Sequence, residues 1–310
     1  MPTKVYLGRN DEALEVINEI MDDVNPELLS MNAKILLNLG RDEEAAGFFE
    51  KSLTLDPDRV SSWVLKGVSL ANLERHPEAL ESFIQAIKLD PKDAGTWYYK
   101  GRSQIYLGHI DDAVKSFDML VLLEPDNLNS HYYRGKALME MNEFDEALKC
   151  FDESLKIKPD FELAWMKMGG CYGFSSDPEN ALKCYEEALK INDNNPESWY
   201  MKGLVLRQLQ RADDSIDSFK KTMELEPQNL SSGHQIGRVY QDKGEFNKSL
   251  ESFDQVLKVN PNMIPTLVEK RRTLGIAGMD TKALKTFEKI LELDPENQQA
   301  LEFGKLPLNC

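Results

Sequence analysis

The glycines of this chain crowd together in the stretch MGGCYGFSSDPENAL, residues 168–182. Three glycines and two serines just ahead of a predicted helix start are residue types that can hold a phosphate through backbone amides. Nucleotide-binding loops also carry Gly-Lys-Ser/Thr, or follow a strand and precede an acidic residue about 20 positions later. The stretch has none of these features, so we do not expect a nucleotide site here.

The histidines and cysteines are too scattered to build a metal or catalytic site. The histidines are His76, His109, His131 and His234. The cysteines are Cys150, Cys171, Cys184 and Cys310. No Cys-x-x-Cys spacing occurs, and no cysteine has a histidine at zinc-site distance. We therefore expect no metal, no cofactor and no catalytic residue, and we expect reduced thiols in a cytoplasmic protein.

Composition excludes two classes of partner. The 310 residues carry 53 acidic and 37 basic side chains, a net charge of −16, which repels a phosphate backbone and makes nucleic acid a poor partner. No apolar run approaches the roughly 18 residues of a membrane span.

The first residues, MPTKVYLGRNDEAL, lack a basic segment followed by an apolar run, so we expect no export signal.

A step of 34 residues organises the chain. Prolines follow it at Pro57, Pro91, Pro125, Pro159, Pro227, Pro261 and Pro295. Glycines follow it at Gly67, Gly101, Gly135, Gly169, Gly203 and Gly237. Tryptophans follow it at Trp63, Trp97, Trp165 and Trp199, with His131 in the gap. An alanine or serine, and a phenylalanine or tyrosine four residues later, keep the same step eight times from Ala45 and Phe49 to Ala283 and Phe287.

Each step has the pattern of two helices. In residues 94–127, apolar residues recur at helical spacing until Gly108 ends the first helix. Asp111 and Asp112 begin the second, where carboxylates suit the positive end of the helix dipole. Pro125 ends it, because proline has no amide hydrogen and restricts its predecessor. One such hairpin cannot bury its apolar face alone, so successive hairpins must stack, with the glycine of one helix facing the alanine of the other.

The motif W-x-x-K-G, followed by A-x-x-x-F and a proline at this step, resembles the tetratricopeptide repeat. The resemblance implies an all-α fold, a right-handed superhelical solenoid of helix-turn-helix repeats. It also implies a concave channel lined by the first helices, which the family generally uses to hold peptides or partner proteins. One departure is a basic residue before the glycine, as in Lys66 and Lys100. Another is the last repeat, which has Leu267 and Arg271 where earlier repeats have Trp and Gly.

The spacing predicts three parts. Residues 1–25 hold a leading helix over Asp11 to Asp22, and residues 298–310 form a capping helix and tail. Between them lie eight repeats, 26–59, 60–93, 94–127, 128–161, 162–195, 196–229, 230–263 and 264–297.

Channel residues follow from helical geometry. The residue after the Trp position, and the residue four further on, should project into the channel. The predicted peptide-binding residues are Tyr98, Arg102, Tyr132, Lys136, Met166, Gly170, Tyr200, Leu204, His234 and Arg238. An aromatic and basic channel in an acidic protein favours an acidic segment or a C-terminal carboxylate. The alternative is that these tyrosines and cations only solvate the wall, or that Tyr98 and Tyr132 pack with the next repeat.

The repeat register gives the glycine stretch another interpretation. Gly169 belongs to the structural glycine row, whereas Gly170 and Gly173 fall at channel positions. Two extra glycines cost roughly 1 kcal/mol each relative to alanine, so this should be the least stable first helix. Either the helix is merely weak, or the missing side chains leave a notch between Lys136, Met166 and Tyr200 that accepts a bulky group.

We therefore predict a non-enzymatic scaffold that binds a peptide or partner protein in its channel. Two alternatives remain open, a module that associates with copies of itself and a regulatory subunit of an enzyme encoded elsewhere. Fold class and function class come from the motif, and the sequence names no partner.

Overall fold

The computed structural model describes residues 12–17, 19 and 24–298, and every regular element in them is helical. Residues 12–17 are helical and precede sixteen further helices in this part of the chain. These are α1 (Pro26–Asn38), α2 (Asp42–Leu55), α3 (Val60–Asn72), α4 (His76–Leu89), α5 (Ala94–Tyr106), α6 (Ile110–Leu123), α7 (Leu128–Glu140), α8 (Phe144–Ile157), α9 (Glu162–Phe174), α10 (Pro178–Ile191), α11 (Pro196–Gln208), α12 (Ala212–Leu225), α13 (Leu230–Asp242), α14 (Phe246–Val259), α15 (Ile264–Ile276) and α16 (Asp280–Leu293).

The helices pack in consecutive pairs within two compact units. Unit 1 spans Met1–Pro159 and contains α1 to α8, and unit 2 spans Asp160–Cys310 and contains α9 to α16. In each unit an odd-numbered helix packs most closely on the helix after it, and each pair packs on the next pair. The predicted all-α fold of stacked helix pairs is confirmed.

Short polar residues and glycines fix where the helices begin and end. The Asp177 carboxylate accepts a hydrogen bond from the Asn180 amide at 3.1 Å, and Pro178 is the first residue of α10, as predicted. Gly108 follows α5 with φ of 74°, and its N–H donates to the Ile105 carbonyl at 2.9 Å. A left-handed residue of this kind lets the chain turn back within a few residues.

The two helices of each pair approach each other closely where a glycine faces an aromatic ring. A Cβ placed at any glycine of the row from Gly67 to Gly237 would lie within 2.8 Å of the Phe or Tyr ring sixteen residues later. These rings are buried. The alanine row lies against the same glycines, since the Ser215 hydroxyl donates to the Gly203 carbonyl at 2.7 Å. The ring is nevertheless the group nearest to the added Cβ. Only glycine leaves room for the ring.

Two sequence predictions fall mainly outside the described residues. The predicted leading helix includes the helical residues 12–17, and the predicted trailing helix lies beyond the described residues except for residue 298. The division into eight repeats stays a prediction. Across the described residues, no helix combines the length and apolar composition needed to cross a bilayer.

Candidate functional site

The ten predicted binding residues lie on odd-numbered helices and are shared between the two units. Unit 1 holds Tyr98 and Arg102 on α5, and Tyr132 and Lys136 on α7. Unit 2 holds Met166 and Gly170 on α9, Tyr200 and Leu204 on α11, and His234 and Arg238 on α13. Each unit therefore has its own candidate surface.

The position after the tryptophan proves to be largely part of the core. Tyr132 and Met166 are each 6% exposed and His234 is 9% exposed, so the prediction that these three project into a channel is wrong. The physical reason is the aromatic ring of the paired helix. The Tyr132 ring lies 6.0 Å from that of Phe151, and the His234 ring lies 5.8 Å from that of Phe253.

Tyr98 contacts the next helix pair. Its ring meets that of Tyr133 on α7 edge to face, with centroids 5.0 Å apart, and that of Tyr99 at 5.1 Å. The alternative that Tyr98 packs against the following repeat is therefore confirmed. Tyr200 is half-buried in the same way, with its ring 5.5 Å from that of Phe219. Such contacts stabilise the stack and leave little ring surface for a ligand.

Arg102 stands in a cavity of about 240 Å³ between α3, the start of α4, and α5. The lining residues are Val68, Ala71, Asn72, Glu74, His76, Tyr99, Arg102, Ser103 and Tyr106. The guanidinium donates to the Tyr98 hydroxyl at 3.4 Å and lies 5.6 Å from the centre of that ring. Within the described part of the chain it has no carboxylate partner. A half-buried cation here is satisfied only by phenols.

The phenols keep Arg102 charged. Burial opposes the charge, but the oxygens of Tyr98, Tyr133 and Tyr106 outweigh it and raise the pKa of the guanidinium. A planar guanidinium offers a carboxylate two parallel N–H donors. Arg102 is therefore a permanent cation with unused capacity to bind an anion.

His76 adds a second polar group to the same cavity. Its ring stacks on Tyr106 with centroids 4.4 Å apart and planes 9° from parallel. Its Nδ1 is buried and has no hydrogen-bond partner among the described residues. Burial lowers the pKa of His76; the Glu74 carboxylate, which lines the same cavity, partly opposes this, and the Arg102 charge acts in the same direction as burial. The imidazole is therefore neutral at pH 7, and one of its two tautomers carries an N–H on Nδ1.

Sequence reasoning found Arg102 but missed its neighbours. In the sequence His76 is one of four scattered histidines, and Tyr106 is not among the predicted binding residues. The signal for Tyr106 was present, because a residue four positions after Arg102 lies on the same helix face. Tyr106 is 68% exposed, so its ring is open to a partner on the side away from His76.

Comparison with known protein families identifies the family of this chain. Models described as tetratricopeptide repeat match residues 31–94, 129–161, 163–195, 184–217 and 234–263. The chain is a tetratricopeptide repeat protein. No curated protein sequence matches it.

Solved structures give the same fold for this tetratricopeptide repeat protein. A tetratricopeptide repeat protein from Parabacteroides merdae has a TM-score of 0.60 at 15% identity, over 78% of this chain and 96% of that one. The hetero-tetramer Cut9-Hcn1 gives 0.57 at 15% identity, over 94% and 57%. YrrB, described as having an unusual peptide-binding site, gives 0.52 at 21% identity, over 62% and 100%. Identities this low establish the fold alone.

The second unit of the tetratricopeptide repeat protein is less basic on the corresponding helices. The Arg238 guanidinium lies 3.7 Å from the Glu269 carboxylate, which offsets its charge. Leu204 and Tyr200 pack against the cluster that contains Phe219 and Ile236. Of the predicted binding residues, unit 2 thus contributes one cation, Arg238, and that cation has a carboxylate partner. Lys136, in unit 1, is half-buried with its amine 5.7 Å from the Tyr133 ring centre.

The glycine stretch forms the end of a continuous helix. α9 runs through Gly169, Gly170 and Gly173 to Phe174. A Cβ at Gly169 would lie 2.8 Å from Cζ of Tyr185, whereas one at Gly173 would meet nothing within 4 Å. Gly169 is therefore structural, as predicted. Met166 is buried, so it does not line the predicted notch, and the notch itself stays a prediction.

The buried His234 ring makes the stability of unit 2 depend on pH. Its Nδ1 lies 3.0 Å from the Thr266 hydroxyl, and burial, followed by the Arg238 charge, lowers its pKa. In the unfolded chain the ordinary pKa is about 6.5. The unfolded chain thus binds the proton more readily than the folded chain. The contribution of neutral His234 to the free energy of unfolding is therefore fully present above about pH 6.5 and is lost as the pH falls through the lower folded pKa.

We expect His234→Gln to remove the part of the pH dependence of stability that comes from His234. The thermal unfolding midpoint of the wild type should fall more between neutral pH and about pH 5 than that of the variant. His76 and the carboxylates titrate in both proteins, so the difference between the two pH dependences isolates His234. The same pH dependence in both proteins would contradict the assignment.

Proposed function

We propose that this tetratricopeptide repeat protein is a non-enzymatic interaction module that binds an acidic segment of a partner protein at the Arg102 cavity. Proteins of this family generally mediate protein–protein interactions. The observation that carries the finer proposal is Arg102 itself, a half-buried guanidinium with phenol partners and no carboxylate partner in the described part of the chain. A carboxylate supplies the missing charge.

The cavity offers three kinds of contact to such a segment. The Arg102 guanidinium donates two hydrogen bonds to one carboxylate. The Nδ1–H tautomer of His76 donates a further bond, which satisfies an otherwise unpartnered buried nitrogen. The exposed face of Tyr106 packs against the stem of the acidic side chain or its neighbour. Lys136, on the first helix of the next pair, is the second cation that an extended acidic segment meets.

The net charge of −16 does not oppose this proposal at close range. At about 0.15 M salt the Debye length is about 8 Å, so repulsion from distant carboxylates is largely screened. A half-buried contact is screened much less, because water and ions have less access to it. The charge next to the bound carboxylate therefore decides the affinity.

The first test compares peptides that differ only in charge. Three labelled peptides alternate serine with glutamate, glutamine or lysine, and each is titrated against the full chain by fluorescence anisotropy. We expect the glutamate peptide to bind at least about tenfold more tightly than the glutamine peptide, since a hydrogen bond to a charged group contributes about 1.5–3 kcal/mol. Equal affinities for the three peptides would remove the basis of the proposal.

We also propose a cytoplasmic location. Cys150, Cys171 and Cys184 are free, buried thiols, and the reducing cytoplasm keeps thiols in this form. Burial raises the pKa of Cys171 and of Cys184 to about 12, so neither is a reactive thiolate.

A further inference from the structure

The tryptophan row holds its rings by one repeated hydrogen bond. The indole Nε1–H donates to the carbonyl six residues earlier, at 2.8 Å from Trp63 to Pro57, 2.9 Å from Trp97 to Pro91 and 2.7 Å from Trp199 to Asp193. His131 makes the same contact through Nε2, at 2.7 Å from the Pro125 carbonyl. A planar ring with a ring nitrogen is thus the group that fits this place in the helix pair.

Gly233 stands at the same step in α13, 34 residues after Trp199. It supplies neither a ring nor a donor for the carbonyl six residues earlier, which belongs to Pro227. A cavity of about 510 Å³ lies at this place between α12, α13 and α14 of unit 2. The lining residues are Lys220, Met223, Pro227, Asn229, Leu230, Gly233, Ile236, Tyr240, Lys248, Glu251, Ser252, Gln255, Val256 and Val259.

A cavity at the same place in unit 1 shows what the glycine changes. The cavity around Trp63 on α3 is lined by residues that lie five 34-residue steps earlier in the sequence than those around Gly233. They include Glu50, Lys66 and Glu78. Three residues near Trp63 do not line that cavity, namely Pro57, Val60 at the start of α3 and Leu89 at the end of α4. The cavity at Trp63 measures about 700 Å³ and the one at Gly233 about 510 Å³, so the glycine does not create the cavity but goes with a different lining. At Gly233 this lining includes the counterparts of those three residues, Pro227 and the apolar residues Leu230 and Val259.

The chemistry of the lining has changed as well. Ile236 replaces the lysine that lies over the Trp63 ring, and Tyr240 replaces a leucine. Val259, at the rim, is 67% exposed.

The charged lining residues are Lys220, Lys248 and Glu251. The two lysines already pair with Asp217 at 3.7 Å and Glu245 at 2.6 Å, so charge does not select the ligand here. The lining also includes the polar residues Asn229, Ser252 and Gln255. Its apolar part, formed with Pro227 and Leu230, suits a flat ring that carries a single N–H donor for the Pro227 carbonyl.

We propose that the Gly233 cavity binds the indole of a tryptophan side chain from a partner segment. The ring takes the place that tryptophan occupies in α3, α5 and α11, and its N–H donates to the carbonyl of Pro227. The site lies in unit 2 and uses apolar contact and a neutral hydrogen bond. It is therefore independent of the acidic-segment site at Arg102, and either can fail without the other.

The probe is N-acetyl-5-fluorotryptophanamide, titrated into the full chain and followed by fluorine NMR. We expect a dissociation constant on the order of 0.1–1 mM, which is ordinary for a ligand of this size. The analogue methylated on the indole nitrogen should bind about three- to tenfold more weakly, because it cannot donate to the carbonyl. Equal affinity for the methylated analogue would overturn the assignment of Pro227 as the acceptor.

Two variants locate the site. Gly233→Trp places a ring where the indole of the ligand would lie. A Cβ there lies 2.8 Å from Val256 Cγ2, so the change is combined with Val256→Ala, since Ala86 holds that position in α4. Val259→Glu instead places a carboxylate at the exposed rim and leaves the core intact. Each should weaken binding at least about tenfold. Leu89→Glu is the matched control, because Leu89 holds the same position in α4 and is also exposed.

The proposal predicts binding to the wild type and to Leu89→Glu, and loss in both cavity variants. Absence of binding to the wild type at several times the expected dissociation constant would overturn it. So would unchanged binding in the Gly233→Trp/Val256→Ala variant or in Val259→Glu.

Discussion

Gly169→Ala is expected to destabilise the chain by about 1–3 kcal/mol, although it adds one methyl group to a helix. The new Cβ would lie 2.8 Å from Cζ of Tyr185, whose ring is buried at the contact between α9 and α10. A buried ring in a packed interior cannot move aside without shifting its own neighbours. Overpacking therefore outweighs the gain of about 1 kcal/mol that alanine otherwise brings to a helix.

Gly173→Ala, four residues further along α9, is the matched control. A Cβ at Gly173 meets nothing within 4 Å, and the residue is helical. We expect this change to stabilise the chain by up to about 1 kcal/mol, because alanine loses less backbone entropy on folding. Urea unfolding followed by circular dichroism measures both. Changes of the same sign in the two variants would contradict the account of the glycine row.

Local features of the fold could be predicted from sequence because the repeat reports them directly. Gly108 in a left-handed turn and Asp177 capping α10 are consequences of conformational freedom and of hydrogen bonding within a few residues. The step of 34 residues then repeats the same local solution along the chain. Helix pairs and their stacking follow from these features and from the apolar face that one hairpin leaves uncovered.

The burial of each predicted channel residue could not be predicted from the sequence in the same way. Tyr98 and Tyr132 share one register position, yet Tyr98 is half-buried against Tyr133 while Tyr132 is buried against Phe151. Helical spacing gives the direction of a side chain but not what the neighbouring helix places in front of it. His76 meets Tyr106 across thirty residues of sequence, a contact that no local pattern encodes.

The cavity at Gly233 could not be predicted from the sequence alone. The tryptophan row is interrupted at this step, and the residue after it, His234, was the one selected as a binding residue. Packing explains the difference. His234 is buried against Phe253, whereas Gly233 lines a cavity whose walls include Pro227 and apolar residues. An absent side chain can matter more to a binding surface than the residues beside it.

Joint reversal of charge at Arg102 and Lys136 is expected to abolish binding of the acidic peptide. Arg102→Glu removes the half-buried guanidinium and sets a carboxylate against the ligand, and Lys136→Glu does the same one helix pair later. Each charge-assisted contact contributes about 1.5–3 kcal/mol, so the two losses together exceed a factor of about 100 in affinity. The full chain should keep its helical content, because neither residue belongs to the glycine–aromatic core.

Lys115→Glu with Lys149→Glu is the matched control for this change. The two lysines lie on α6 and α8, the second helices of the same two pairs, and their side chains are 75% and 69% exposed. They pair with Asp112 at 2.9 Å and Glu146 at 2.5 Å, contacts that contribute little to stability at the surface. The control replaces two cations by glutamate in the same unit and therefore has the same net charge as the test variant.

The dissociation constant of the glutamate–serine peptide, measured for these two double variants and the wild type at about 0.15 M salt, tests the central claim most directly. We predict that Arg102→Glu/Lys136→Glu weakens binding by more than about 100-fold, whereas Lys115→Glu/Lys149→Glu changes it by less than about threefold. Equal losses in the two variants would show that the peptide responds to net charge alone. That result, or unchanged binding in Arg102→Glu/Lys136→Glu, would contradict a binding site at Arg102.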